Sequence, residues 1–311
     1  MERNASILQA EAYTKCDTAI IPGVALSVLE YFELFFYPLR AEEILSYSSV
    51  ICTPEEISSA LEEQLAHHKI YEHNNYYSVN KDIKQQVIKR EKGNKIAVIK
   101  TIDAKRIGRF IFGFPFVKFV GISGSLSKGY AGEKCDYDFF IITSNNRLWI
   151  CRTILHLFKK ITFLAGQQDK FCMNYFIDES ALKIEEKNRF TATELLTLIP
   201  INRNKIYDDF LSSNNWIHSF FPNNKLCADT NIKTEPVRFG KKFLEFIFDH
   251  LFPRKLNKAL MKLTDLKWRN KWARKDFPME DYDLAFKTTL HVSKNHPLNH
   301  QKKVLEHLKK K

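Results

Sequence analysis

The sequence predicts an α+β chain in which a few strands are gathered between two helix-rich flanks. Three observations carry this reading. Residues 22–80 read as three helices closed by a hairpin. Residues 116–142 hold two apolar, strand-like runs separated by a Gly-Ser turn and an Asp-Tyr-Asp step. From residue 181 onward the apolar spacing is helical, interrupted at Pro200, Pro222 and Pro236. At 311 residues the chain is too long for one ordinary core, so two or three domains are expected.

The N-terminal flank follows from local rules. Val24, Val28, Leu29, Phe32, Phe35 and Phe36 line one helical face, and Tyr37-Pro38 ends it. A second helix starts at Ala41. Thr53-Pro54-Glu55-Glu56 is a capping box with proline at the first helical position, and Ile57, Leu61 and Leu65 then repeat every fourth residue. Ile70-Tyr71-Glu72 and Tyr76-Tyr77-Ser78-Val79 form two short strands around His73-Asn74-Asn75. This order resembles a winged helix over residues 1–80, and the resemblance implies a third helix set in a DNA major groove. That helix carries Glu55, Glu56, Glu62 and Glu63, and no Lys or Arg before Lys69. Phosphate contacts need positive charge, so the unit reads as a packing or protein-contact module rather than a DNA reader.

Residues 81–110 are basic and amphipathic and are expected to form a connecting helix. Next comes Phe116 to Ile122, which reads as a buried strand. It breaks into Ser123-Gly124-Ser125-Leu126-Ser127-Lys128-Gly129, where a Gly-Ser turn lets backbone amides approach an anion at a helix start. Asp136 and Asp138 follow, running into Phe139-Phe140-Ile141-Ile142. Two apart on a strand, they project from one face. Paired carboxylates repel and desolvate each other, an arrangement that normally persists with a cation between them. A phosphate cradle and a paired-carboxylate metal site suit metal-assisted attack on a nucleoside triphosphate.

An apolar strand, Gly-Ser, a spacer near ten and Asp-hydrophobe-Asp-hydrophobe together resemble the nucleotidyltransferase domain of the DNA polymerase β superfamily. The resemblance covers about 115–177. It implies a small mixed-sheet core over 111–180, with Gly124 and Ser125 on the triphosphate, Ser127 and Lys128 as helpers, and Mg²⁺ or Mn²⁺ on Asp136 and Asp138. It also implies a third carboxylate from a later strand. The next strand, Phe171 to Ile177, holds Asn174 at its middle, with Asp169 before it and Asp178 after it. An amide can ligate a hard cation but cannot take a proton. The expected function is transfer of a nucleoside monophosphate from a nucleoside triphosphate to an acceptor hydroxyl. The acceptor is left open between a small molecule, an RNA tail and a protein side chain. The alternative is a degenerate, nucleotide-sensing regulator or a winged-helix DNA-binding protein.

Beyond the core, Arg147 and Arg152 open a helix and are candidates for phosphate contact or surface ion pairing, and His156 reads as a core-edge histidine. Residues 181–311 are expected to form a helical domain closing over the cleft, with 225–236 as a linker or mobile loop. The basic stretch 254–275 carries Trp268 and Trp272 one helical turn apart. The indoles suit either base stacking or core packing. His296 and His300 have no accompanying carboxylate in sequence, and Pro297 divides them, so no metal site is expected there.

The net charge of +12 hides a split: residues 1–80 carry −8 and the remainder +20, so a polyanion is expected to avoid the N-terminal unit. Six scattered cysteines without a Cys-x-x-Cys pair argue against zinc or a disulfide framework. The run Phe243–Phe252 is broken by Glu245, Asp249 and His250, too short and polar for a membrane span. No secretory leader is read at Met1-Glu2-Arg3-Asn4, and a cytoplasmic setting is expected.

Overall fold

The computed structural model describes residues 18–164, 170–224 and 239–309. The chain divides into two compact units, Met1–Lys92 with Trp216–Leu226, and Gly93–Asn215 with Cys227–Lys311.

The first unit has the element order read from the sequence: α1 (Ile21–Glu33), α2 (Ala41–Ser46), α3 (Pro54–Ala66), β1 (Tyr71–His73) and β2 (Tyr76–Ser78). The capping box is formed, since the Glu56 amide donates to Thr53 Oγ1 at 3.2 Å and the Thr53 amide to Glu56 Oε2 at 2.8 Å. The hairpin closes through Asn74 and Asn75 at φ 53° and 62°, the left-handed pair that a two-residue primed turn requires. Val28, Leu29 and Phe32 of α1 and Ile57 and Leu61 of α3 are buried, and the two helices pack together. Sequence distance hid one participant. Asn223, expected in the C-terminal domain, accepts from the Cys52 amide at 3.1 Å and donates to the Val50 carbonyl at 2.7 Å. The next helix, α4 (Ile83–Phe112), is the expected basic helix. Its Arg90 is buried, stacked on Tyr37 and Tyr76, and bonded to Glu43 at 2.6 Å.

The second unit is built on one six-stranded mixed sheet. Its strands are β3 (Val117–Ser123), β4 (Asp138–Thr143), β5 (Cys172–Asp178), β6 (Ile199–Pro200), β7 (Phe286–Thr288) and β8 (Val292–Asn295), in the spatial order β6-β3-β4-β5-β8-β7. The β4–β5 pair is parallel and the others are antiparallel. The expected mixed sheet is thus present, but it is not confined to 111–180. Three of its strands come from the region read as purely helical. They are two to four residues long, β6 being Ile-Pro and the other two partly polar (Lys287, Thr288, Ser293, Lys294), so they carry no usable alternation, and pairing in the sheet defines them.

Helices cover both sheet faces. On one, Val120, Ile122, Phe139, Ile141, Met173 and Phe176 pack with α4 and with Trp149 and Leu155 of α6 (Leu148–Leu164). This side also receives α9 (Phe239–Leu251) and α10 (Arg254–Ala273). Lys241 of α9 is buried there and donates to the carbonyls of Phe112 at 2.7 Å and Val117 at 2.5 Å, with burial pulling its pKa down to about 8. On the other face, α7 (Arg189–Leu196) and α8 (Lys205–Ser213) cover the sheet. Phe119 stacks on Tyr207 at 4.8 Å, and Phe140 packs between Tyr175 and Phe210. The unit ends in α11 (Tyr282–Ala285) and α12 (His300–Lys309). No helix among the described residues is long and apolar enough to cross a membrane.

Candidate active site

The Gly-Ser turn and the two aspartates meet at one end of the β3–β4 pair, where Ser123 lies opposite Asp138. Gly124 adopts φ +71°, a conformation that L side chains rarely take, and turns the chain into α5 (Gly124–Ser127). This helix is a single turn, shorter than the helix expected to cradle phosphate. A β-carbon placed on Gly124 would lie 2.5 Å from Asp138 Oδ2, so only glycine allows the backbone to approach that carboxylate.

Asp138 opens β4 and is half-buried. Asp136 lies in the loop just before the strand and is exposed, with buried Tyr137 between them pointing the other way. The phenol of Tyr137 donates to Asp103 at 3.1 Å, which pins this step. Burial pushes the Asp138 carboxyl up to about 6, and the negative charges of Asp136 and Glu194 add to the rise. A hydrogen bond from the Cys172 thiol and the charge of Lys128 oppose it.

Asn174 reaches the expected place by an indirect route. Asp138 pairs with Cys172 and Phe140 with Tyr175, and the irregularity between them leaves Asn174 free to turn toward Asp138. Its Nδ2 donates to Asp138 Oδ1 at 3.0 Å and to Cys172 Sγ at 3.2 Å. Burial and the adjacent carboxylates raise the Cys172 thiol to about 11, so it stays protonated. Asp178, the alternative third acid, is excluded by register. It lies opposite Thr143, five residues along, or roughly 17 Å from the Asp138 level. There it is fully buried, bonded to His291 at 2.8 Å and to the Asn146 and Ser180 amides. Asp169 and the expected linker at 225–236 lie outside the described residues.

The helper residues are tied inward. Ser127 Oγ donates to the Gly124 carbonyl at 2.8 Å. Lys128 Nζ donates to the same carbonyl at 3.0 Å and pairs with Glu194 Oε1 at 2.7 Å. Ser125 is exposed beside them. Lys128 therefore locks the turn from behind.

Sequence reasoning missed Glu194 and Cys172. Cys172 was findable, because a residue two before Asn174 on a strand shares its face. Glu194 was not, because nothing within α7 shows which strand end the helix covers. Glu194 also acts on His296 and His300, so the histidine pair does have a carboxylate companion. Both histidines are pulled down by burial, His296 to about 4. Replacing Glu194 with Gln is expected to lower the Asp138 pKa below about 6, since it removes one negative neighbour and releases the charge of Lys128. An NMR titration of the Asp138 carboxyl checks this, and an unchanged or higher midpoint would refute it.

Three further residues resolve differently from a binding reading. Arg147 bridges Asp249 at 2.5 Å and donates to the Phe252 carbonyl at 2.7 Å. It lines a cavity of about 530 Å³ with Phe116, Lys118 and Glu245, among others. That cavity lies beyond the opposite end of β4 and, apart from Arg147, holds none of the residues expected at the site. Within it Arg147 pairs with Asp249 and Glu245 accepts from the Phe116 amide at 2.8 Å. Trp268 and Trp272 pack against Phe286, with Phe277 and Arg152 alongside, which is the core reading of the two indoles.

Among the described residues, no three His, Cys, Asp or Glu side chains converge on a common cation position. Asp136 and Asp138 supply two carboxylates. Comparison with known protein families, curated proteins and solved structures finds no match to this chain.

Proposed function

We propose that the protein is a metal-dependent nucleotidyltransferase, moving a nucleoside monophosphate from a nucleoside triphosphate to an acceptor hydroxyl. The observation that carries this reading is the contact between Gly124 and Asp138. The Gly124 turn and the Asp138 carboxylate are held against each other with room for nothing larger than hydrogen between them. The donor set fits Mg²⁺ or Mn²⁺, which commonly take one or two carboxylates and complete their shell with substrate phosphates and water. Burial first, then the negative charges of Asp136 and Glu194, raise the Asp138 pKa, and a cation beside it would relieve both. Bound there, the cation would neutralise charge on the triphosphate.

The chain's own groups divide the remaining work. Asp136 and Asp138 hold the cation. Gly124 and Ser125 present the backbone to the β- and γ-phosphates, and Lys128 and Ser127 fix that turn through the Gly124 carbonyl. Asn174 orients Asp138 through Oδ1, leaving Oδ2 toward Gly124. In the transfer, the acceptor oxygen bonds to the α-phosphorus as the bond to pyrophosphate breaks. The test is incubation of the purified protein with each α-labelled nucleoside triphosphate, Mg²⁺ or Mn²⁺, and a cell lysate. Label should move from the α-position and fail to move in the Asp138→Asn variant. Transfer of a γ-label instead would sink the reading.

A second reading is favoured by one contact. The group against Asp138 is an amide, which cannot accept a proton, and a nucleotide-sensing regulator needs no such acceptor. Asn174→Asp separates the two. As an enzyme, the protein should turn over faster with this third carboxylate, or accept Mg²⁺ where Mn²⁺ had been needed. Tight nucleotide binding with no label transferred by either form would make it a sensor. The exposed Glu55, Glu62 and Glu63 of α3 argue against a DNA-binding version of that regulator.

A further inference from the structure

On the sheet face opposite Asp138, α6 and α10 pack together over β5, β7 and β8. Arg152 of α6 is 8% exposed. Its guanidinium carbon lies 4.7 Å from the Trp268 ring centroid and 5.5 Å from that of Trp149. Among the described residues it has no carboxylate partner and no hydrogen-bond acceptor. One turn further on, His156 Nε2 is buried and likewise has no partner. The His156 ring lies 6.3 Å from Phe176, whose neighbour across the β5–β8 ladder is Ser293. Ser293 is 1% exposed and its Oγ is also unpartnered.

These groups are costly as they stand. Removing a cation from water costs several kcal/mol, whereas contact with an indole returns about 0.5–2 kcal/mol. Burial alone pulls Arg152 down to about 10. Burial also holds His156 well below its ordinary value, and the charges that add to this are all positive: Arg152, Lys159 and Lys160 from α6, and Lys267 from α10. The side chains around His156 are therefore basic and include unused donors. Two buried unsatisfied atoms, His156 Nε2 and Ser293 Oγ, beside an Arg152 with no counter-charge call for a missing partner.

We propose that Arg152, His156 and Ser293 form a binding site for a compact oxyanion, of which phosphate is the reference member. The planar guanidinium fork matches two oxygens of such an anion. Neutral His156 protonated at Nε2 donates to another, and the Ser293 hydroxyl supplies a further donor. The site lies on the other side of the sheet from Gly124 and Asp138 and does not depend on the transferase reading.

The test is calorimetric titration of the full chain with inorganic phosphate, at constant ionic strength in chloride, with adenosine monophosphate as a second titrant. Wild type should bind phosphate. Ser293→Ala should weaken binding by about tenfold, as loss of a hydrogen bond to a charged group does. Arg152→Lys should weaken it at least as much, and if that variant does not fold, Ser293→Ala decides alone. Equal affinity for adenosine monophosphate would identify the occupant as the phosphoryl group of a larger ligand, and phosphate binding alone would identify the free anion. No phosphate binding by wild type, or unchanged affinity in Ser293→Ala, would overturn the proposal.

Discussion

Replacing Asp138 with Asn is expected to stabilise the free protein at neutral pH while removing its cation-dependent affinity for nucleotides. Burial, the largest cause, pushes the folded carboxyl up to about 6 from an ordinary 3.8. Between those values the native state holds a proton that the unfolded chain has released. Stability therefore falls as pH rises through that window, and the full penalty is present above about pH 6. Each pKa unit corresponds to about 1.4 kcal/mol, which puts the relief in Asp138→Asn at roughly 1–3 kcal/mol at pH 7.5 and near zero at pH 4. The amide retains an Oδ1 acceptor for Asn174, so the local geometry survives. Urea denaturation at the two pH values checks the sign. Nucleotide affinity in the presence of Mn²⁺ should drop about a hundred-fold or more, beyond what loss of an outer-shell partner costs. Destabilisation at pH 7.5, or unchanged affinity, would count against the assigned site.

Gly124→Ala should produce the opposite change in stability and the same loss of binding. The left-handed backbone costs an L residue about 1–2 kcal/mol. The new β-carbon also meets Asp138 Oδ2 at 2.5 Å, so the carboxylate must swing away and strain its bond to Asn174. A total loss of about 2–4 kcal/mol is expected, with nucleotide affinity reduced tenfold or more. A double-mutant cycle with Asp138→Ala isolates the contact. Removing the carboxylate removes the clash, so Gly124→Ala should then cost only its backbone term. Strictly additive effects would show that the two residues do not touch.

These two residues also show where sequence reading succeeds. Gly124 and Asp138 stand in a local pattern of apolar strand, turn and Asp-x-Asp, and each part acts within about ten residues. The capping box at Thr53, the Asn74-Asn75 turn and the strands β3 and β4 are legible for the same reason, because propensity, capping and period-two burial are short-range. Asn174 was legible as a mid-strand residue. That it turns toward Asp138 depends on an irregularity in β5 which pairing with β4 imposes.

Short-range signals thus specify the elements that are encoded in their own residues. These include the paired acids and the glycine that lets the backbone reach them. The tertiary structure decided the rest. It recruited β6, β7 and β8, which are too short to declare themselves, because open sheet edges left unpaired backbone groups to satisfy. It set Asp178 at the far end of the sheet and brought Glu194 of α7 to Asp138 through pairings between distant segments. It gave Asp138 its raised pKa and left Arg152 without a counter-charge. Burial and electrostatics depend on which distant groups share a volume, and that is settled only when the chain has packed.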